Sequence, residues 1–333
     1  MKRAAGLAAL VVAGLAVRQY VGARPALAAV TPELRTPALA FVPSLGSMRL
    51  LPLHRRVGRL RTPAGRGVTV AERTIGTPAL RIIVTTPDNQ QIGRPAVLEI
   101  HSGGFVVGSP QFELSSVIAP LARDLGAVVV SPDYRLAPEH RFPAAIDDCM
   151  TTLRWMRDHA DELGIDANRI AVAGPSAGAG LSAIVAQRSL DEGIALRAQA
   201  LVYPMLDDRT ALRDDFDGGD GYGVFLFSAA ANRFGWISYL GREPRPSDAP
   251  EYSAAARRAN LEGLAPAWIG VGDLDVLYDE SIVYAERLTE AGVPCELVTV
   301  PGMYHGADGI KPKAPVIKDF RASMVAHLRK YLA

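Results

Sequence analysis

The chain has little cysteine and no recognisable metal-binding pattern. Only Cys149 and Cys295 occur in 333 residues, which is too few for a disulfide framework and predicts buried free thiols. Cysteines and histidines do not occur at metal-ligand spacing, and the acidic, glycine-rich stretch 214–221 lacks the register and closing glutamate of an EF-hand. We therefore expect no metal and no cofactor, and we interpret 214–221 as a solvated lid loop.

The chain as a whole has almost equal numbers of basic and acidic residues, and its formal net charge is only +1. The charges are unevenly placed, however: residues 1–66 contain eleven Lys and Arg against the single Glu33. No aromatic-interleaved basic patch and no nucleic-acid motif accompany this basic arm. We therefore expect no nucleic-acid partner.

No apolar run is long enough for an ordinary transmembrane helix. The uncharged run 4–17 is shorter than the roughly 20 residues that span a bilayer, but its length suits the apolar core of a signal peptide. An Ala-Leu-Ala site follows at 26–28, although two arginines in between are unusual for cleavage. The alternatives are export, membrane association through residues 1–24, or a cap helix packed on the body of a cytoplasmic protein.

Short apolar runs alternate with helical patterns along most of the chain, which predicts an α/β fold with a mostly parallel sheet and crossover helices. The first two runs are too close for a crossover helix, so we expect that pair to be antiparallel. The eight predicted strands are 68–73, 80–86, 96–101, 127–132, 169–173, 198–203, 268–272 and 296–300.

Two segments do not fit this sheet, 1–66 and 207–250. The second is rich in aromatics although only 7% of the chain is aromatic. Such residues pack a segment onto the body, and some of them can line an apolar pocket. We predict that 67–206 and 251–333 form the body, that 207–250 is an inserted cap, and that 1–66 is an apolar and basic segment forming part of the cap. The aromatics are Phe225, Phe227, Phe234, Trp236 and Tyr239.

Residues 174–178 read Gly-Pro-Ser-Ala-Gly and join the strand-like run 169–173 to the small-residue run 179–185. In this strand-turn-helix context, a G-x-S-x-G sequence presents its serine on a sharp turn. Glycines flank it because a larger side chain would collide with the neighbouring strand and helix. The pattern predicts Ser176 as a nucleophile.

Partners for this serine lie at the ends of other predicted strands. Gly103 and Gly104 follow the third strand and leave two backbone N–H groups free for a developing oxyanion. Asp275 and His305 follow the last two strands, so the chain order is Ser, Asp, His, as in α/β-hydrolases. Asp273 lies at the same strand end as Asp275 and competes with it.

Further motifs identify a family. Residues 134–140 read Tyr-Arg-Leu-Ala-Pro-Glu-His, and 275–280 read Asp-Val-Leu-Tyr-Asp-Glu. With the His-x-Gly-Gly-Phe loop, the serine motif and a C-terminal His-Gly, the chain from about Pro95 onwards resembles the hormone-sensitive lipase family of carboxylesterases. The resemblance implies an α/β-hydrolase fold, in which a mostly parallel eight-stranded sheet is flanked by helices and covered by a helical cap.

The resemblance also implies roles for individual residues. Ser176 would be the nucleophile, His305 the general base and acid, and Asp275 the carboxylate that orients the imidazole. The N–H groups of Gly103, Gly104 and Ala177 would bind the oxyanion. His101, Glu139 and His140 would hold the oxyanion loop and its neighbours in place.

Three positions depart from the family pattern. Ser102 replaces the first glycine of the usual His-Gly-Gly-Gly, although the two glycines after it are retained. Pro175 stands where the family usually has Asp or another small or polar residue, and its fixed φ suits the end of a strand, so we expect the turn to form. Ala307 replaces the usual Phe, and we expect this change to loosen or widen the pocket behind His305.

The expected activity is hydrolysis of short- to medium-chain acyl esters through an acyl-enzyme, with a small-molecule ester as substrate and no cofactor. Amide or lactone hydrolysis by the same groups is an open alternative. A non-catalytic small-molecule receptor is a further alternative, although all three triad positions are filled. A homodimer is also left open.

Overall fold

The computed structural model describes residues 18–41, 51–89, 91–213 and 221–333. Eight strands in these ranges form one sheet in the order β1-β2-β4-β3-β5-β6-β7-β8. Their bounds are β1 Val68–Ile75, β2 Leu80–Pro87, β3 Arg94–Glu99, β4 Val128–Pro132, β5 Ile165–Pro175, β6 Gln199–Val202, β7 Ala267–Gly272 and β8 Cys295–Val300.

Strand direction follows the length of the connections. The short turn 76–79 joins β1 to β2 and allows only an antiparallel pair, with Ile75 opposite Leu80. β2 is also antiparallel to β4, whereas the pairs from β4 to β8 are all parallel. The predicted eight strands, the antiparallel first pair and the mostly parallel sheet are confirmed.

Helices cover both faces of the sheet, and the connections between parallel strands run through them. Among the described residues, 18–29 are helical, and the further α-helices are α1 Leu51–Gly58, α2 Pro110–Glu113, α3 Ala119–Leu125, α4 Ala144–Asp158, α5 Ala160–Leu163, α6 Ala177–Asp191, α7 Ala229–Leu240, α8 Tyr278–Glu290, α9 Ala307–Ile310 and α10 Pro315–Leu332. A π-helical turn, Leu114–Ile118, joins α2 to α3, and three short 3-10 helices occur at Pro37–Phe41, Asp208–Leu212 and Ala255–Arg257.

The central helix α6 is buried along almost its whole length. Its first turns consist of small residues, and this allows close backbone contact with the strands beneath. At Gly180, for example, a Cβ atom would lie 2.0 Å from the carbonyl oxygen of Met205. The small-residue run that follows the serine motif therefore serves close packing of this helix onto the sheet.

The described part of the N-terminal segment packs on the body. Residues 18–29 are helical, and Ala26, Leu27 and Val30 are buried beside the aromatic core around Tyr304. Thr31 N–H donates to the carbonyl oxygen of Gly302 at 3.1 Å, which ties this segment to the loop before His305. A cleavage at 26–28 would therefore remove side chains that pack in the core. In the described ranges no helix is long and apolar enough to cross a membrane.

Some sequence predictions fall outside the described residues or are not tested by the fold. The apolar run 4–17 and most of the predicted lid loop, 214–220, lie outside them. Cys149 is buried, Cys295 is partly buried, and both are free thiols. The described residues contain no group of three or more His, Cys, Asp or Glu placed to hold a metal ion. The boundaries of the cap remain a prediction.

Candidate active site

Ser176 lies on a sharp turn between β5 and α6. Its backbone has φ 58° and ψ −123°, a conformation that a non-glycine residue adopts only under constraint. The flanking glycines allow this turn, because a Cβ at Gly174 or Gly178 would lie 2.4 or 1.9 Å from the carbonyl oxygen of Ile100, which directly follows β3. Pro175 is accommodated at the end of β5, as expected. The turn places Ser176, which is 3% exposed, just beyond the end of β5 with its hydroxyl directed at His305.

His305 and Asp275 continue from this hydroxyl in a hydrogen-bonded chain. His305 Nε2 lies 3.0 Å from Ser176 Oγ, and His305 Nδ1 lies 2.7 Å from Asp275 Oδ2. Asp275 is completely buried, and its other oxygen accepts the N–H of Leu277 at 2.9 Å. With both oxygens of Asp275 acting as acceptors, the imidazole carries its proton on Nδ1. Nε2 then has a lone pair directed at the serine hydroxyl.

The other carboxylates near this strand end have different partners. Asp273 Oδ1 accepts the N–H of Gly302 at 2.7 Å and so holds the loop that leads to His305. Asp279 forms an ion pair with Arg213 at 2.6 Å. The structure therefore brings Asp275, rather than Asp273, to the imidazole.

Aromatic rings pack against the His305 imidazole. The ring of Tyr203 lies 4.5 Å from it and the ring of Phe227 lies 4.9 Å from it, measured between centroids. Tyr203 is held in turn by its hydroxyl, which donates to Asp308 at 2.7 Å. Phe227 belongs to the predicted cap aromatics, whereas Tyr203 was missed by the sequence analysis. Ala307 is buried, and aromatic contact with the imidazole comes from these other parts of the chain.

The Gly103–Gly104 loop begins shortly after Ile100, whose carbonyl oxygen lies against the glycines that flank Ser176. Gly103 has φ 121° and Gly104 has φ 57°, and a Cβ on Gly103 would lie 2.1 Å from the carbonyl oxygen of Val107. Across the described ranges, neither glycine N–H has a hydrogen-bond acceptor. Ala177 is the first residue of α6, where helix geometry supplies no acceptor for the N–H. The three groups are thus available to bind an anionic oxygen.

His101 supports this loop from below. Its ring stacks on Tyr134 at a centroid distance of 4.0 Å, and Nδ1 donates to the carbonyl oxygen of Ser102 at 2.7 Å. Burial lowers the pKa of His101 to about 4, so its imidazole is neutral above that pH. A neutral, buried and stacked ring suits a structural role close to the loop.

Glu139 forms an ion pair with Arg55, a residue that the sequence analysis did not identify. Arg55 of α1 binds both oxygens of Glu139, at 2.7 and 2.6 Å, and this contact lowers the pKa of the carboxyl to about 2. Arg55 also donates to the carbonyl oxygens of Val106 and Ala137, at 2.9 and 2.7 Å. No local sequence pattern pairs Arg55 with Glu139. The exposed His140 lies next to Glu139.

The sequence pattern of a family described as α/β hydrolase fold matches residues 97–308. The chain belongs to this family. This family is similar to hormone-sensitive lipase, and the relatives of the chain are esterases. The carboxylesterase NlhH of Mycobacterium tuberculosis is 35% identical over 283 residues, covering 83% of this chain and 88% of the relative. An ethyl acetate hydrolase of Pseudomonas putida is 33% identical over 231 residues, covering 69% of this chain and 71% of the relative.

A solved structure of a bacterial heroin esterase superposes with a TM-score of 0.82 at 34% identity, covering 92% of this chain and 99% of that chain. Together these relatives confirm the predicted α/β-hydrolase fold and the predicted activity class. The protein is a carboxylic ester hydrolase, and its substrates are small-molecule esters.

Proposed function

We propose that the ester is cleaved through an acyl-enzyme on Ser176, with His305 as base and acid and Asp275 as its orienting carboxylate. The hydrogen-bonded chain from Asp275 through His305 to Ser176 Oγ carries this proposal. His305 Nε2 removes the hydroxyl proton as Oγ attacks the ester carbonyl, and the same proton then passes to the departing alcohol. Water repeats the cycle on the acyl-enzyme, releasing the acid and restoring Ser176.

The N–H groups of Gly103, Gly104 and Ala177 bind the oxygen on which negative charge develops in both steps. Two observations support this role. The N–H groups of Gly103 and Gly104 have no hydrogen-bond acceptor in the described ranges, and Ala177 lies at the start of α6. Each such donor is worth roughly 3 to 4 kcal/mol of activation barrier in serine hydrolases. His101 and the Arg55–Glu139 pair hold the chain around these donors, so we assign them a supporting role.

The preferred substrates in this proposal are esters with short to medium acyl chains, about C2 to C8. Aromatic rings of Tyr203 and Phe227 enclose the His305 side of the site, which suits a compact apolar acyl or alcohol group. The name of one relative, an ethyl acetate hydrolase, also points to small acyl groups. Phe227 lies in the predicted cap, so we expect the cap to limit the length of the bound chain.

The test compares wild type, Ser176→Ala and a matched control, Ser189→Ala, on p-nitrophenyl esters of C4, C8 and C16 chain length. Ser189 lies on the same helix and is also buried, but its hydroxyl donates to the carbonyl of Ala186. We expect Ser176→Ala to lose hydrolysis and labelling by a fluorophosphonate, while Ser189→Ala retains both. Labelling of folded Ser176→Ala would overturn the nucleophile. An anilide and a lactone in the same assay measure the alternative activities.

The N-terminal segment needs its own arm of this test. Because Ala26, Leu27 and Val30 are buried, the truncated variant should lack only residues 1–17. We expect the full-length and truncated enzymes to share the same preference for C4 or C8. A highest kcat/KM on C16 in the full-length enzyme that disappears on truncation would contradict the short-chain proposal. It would instead place the N-terminal segment in substrate access.

A further inference from the structure

A pair of buried carboxyl groups lies directly behind the oxyanion loop. Glu113 of α2 is 6% exposed and Glu99 of β3 is completely buried. Glu113 Oε1 accepts the backbone N–H of Ser102 at 3.0 Å and also the Ser102 hydroxyl. Ser102 immediately precedes Gly103, so this carboxylate holds the residue from which the two glycines continue. Neither glutamate was identified by the sequence analysis.

The two carboxyl groups differ in the hydrogen bonds that they accept. Glu99 Oε2 accepts the Ser131 hydroxyl at 2.8 Å, whereas Glu99 Oε1 and Glu113 Oε2 have no hydrogen-bond partner within the described ranges. Burial raises the pKa of both carboxyl groups, and the charge of Glu113 raises the pKa of Glu99 further. Glu113 already accepts two donors from Ser102 and Glu99 accepts only one. Glu113 is therefore the ionised member and Glu99 the protonated one.

We propose that Glu113 is a positioning residue for ester hydrolysis, which holds the Gly103 and Gly104 N–H groups in place through Ser102. This inference rests on the proposed oxyanion role of these glycines. Glycine has no side chain with which to fix its own peptide planes, so the loop depends on its neighbours. On one side, the Gly103 carbonyl oxygen accepts from Val106 and Val107, both at 3.0 Å. On the other side, Glu113 holds Ser102 by two hydrogen bonds.

The protonation state of Glu113 then affects the site. The pKa of Glu113 is raised to about 7, because burial, with a smaller contribution from the charge of Asp308, outweighs the lowering by the bonds to Ser102 and by Glu99. Above that pH the bonds to Ser102 are charge-assisted, and below it they become weaker neutral bonds. Activity should therefore fall as the pH falls through about 7. The other titratable or charged groups that face the pair are Tyr134, Cys149, Tyr203, and Asp308 with its partner Arg321.

The first test variant is Glu113→Gln, which keeps an acceptor for Ser102 but removes the charge. We expect kcat to fall roughly 10-fold with KM within about twofold, because the donors act mainly on the transition state. The acid limb of the kcat/KM profile against pH should lose one ionisation. Asp208→Asn is the matched control, since Asp208 is a fully buried acid paired with Arg257 at 2.6 Å in another region. This control should keep the wild-type kcat and the wild-type pH profile.

A second variant, Ser102→Ala, keeps the proposal testable if Glu113→Gln does not fold. It removes the hydroxyl bond that lowers the Glu113 pKa, so the acid limb of the pH profile should move to higher pH. A purely structural contact would leave the position of that limb unchanged. Fluorophosphonate titration of each variant gives the fraction of active enzyme, so partial unfolding is not mistaken for a lower kcat.

The outcomes separate this inference from the proposed function. If the proposed function is wrong, Ser176→Ala retains its activity. If only the present inference is wrong, Ser176→Ala is inactive, but Glu113→Gln retains the wild-type kcat and Ser102→Ala retains the wild-type acid limb. A loss of kcat in Asp208→Asn as large as that in Glu113→Gln would also overturn it, because the effect would then be common to buried acids.

Discussion

Replacing Asp275 by Asn tests the orientation of the imidazole, because the two side chains have almost the same shape. In the wild type, one oxygen accepts from His305 Nδ1 at 2.7 Å and the other accepts from Leu277 N–H at 2.9 Å. An amide has only one oxygen. If this oxygen stays on the Leu277 N–H, the amide NH₂ faces Nδ1 and forces the proton of the imidazole onto Nε2. The histidine then has no lone pair with which to accept the Ser176 proton.

The alternative amide orientation is also unfavourable. Turning the oxygen towards His305 would place the NH₂ against the Leu277 N–H inside a fully buried site. We therefore expect the wrong tautomer to dominate and kcat to fall by about four orders of magnitude, as for the same change in a serine protease triad. This corresponds to about 5.5 kcal/mol of activation barrier.

The measurement is kcat on a p-nitrophenyl ester, with active sites counted by fluorophosphonate and folding checked by the melting temperature. Asp273→Asn is the control, since Asp273 lies at the same strand end but accepts from Gly302 N–H at 2.7 Å. We expect this control to lose less than about tenfold, since it disturbs a loop and not the tautomer. A folded Asp275→Asn enzyme with more than a tenth of the wild-type kcat would refute the reasoning. So would a larger loss in Asp273→Asn.

Two other predictions concern the oxyanion loop and the ring beneath it. Gly104→Val should lower kcat far more than it raises KM, because a β-branched residue is strained at φ 57° and would displace the N–H groups; a change confined to KM would place the loop in substrate binding. His101 has its pKa lowered to about 4 by burial, so the unfolded chain takes up a proton at higher pH than the folded protein does. Stability should therefore fall by about 3 kcal/mol between pH 6.5 and pH 4, and urea unfolding of His101→Gln should lack this contribution. If the free energy of unfolding of the wild type and of His101→Gln changed equally with pH, this prediction would be contradicted.

Much of the fold could be predicted from the sequence because its signals are local. A strand is visible as a short apolar run, and the short connection 76–79 leaves only an antiparallel pair. The serine motif is equally local. Its glycines are needed because the carbonyl oxygen of Ile100 lies too close for a Cβ atom at either position. The residues around Arg55 could not be predicted in this way. An ion pair between Arg55 and Glu139, 84 positions apart, leaves no periodic pattern in the sequence.

The sequence by itself determined the succession of strands along the chain, the sharp turn at Ser176, and the serine and histidine proposed to perform acyl transfer. These depend on residue type and on spacing within a few positions, which the sequence contains in full. Only the tertiary structure decided which carboxylate reaches His305, because Asp273 and Asp275 are two residues apart and their turn directs them to different partners. It also decided that the pKa values of Glu99 and Glu113 are raised, because burial, rather than residue type, sets the pKa of these carboxyl groups.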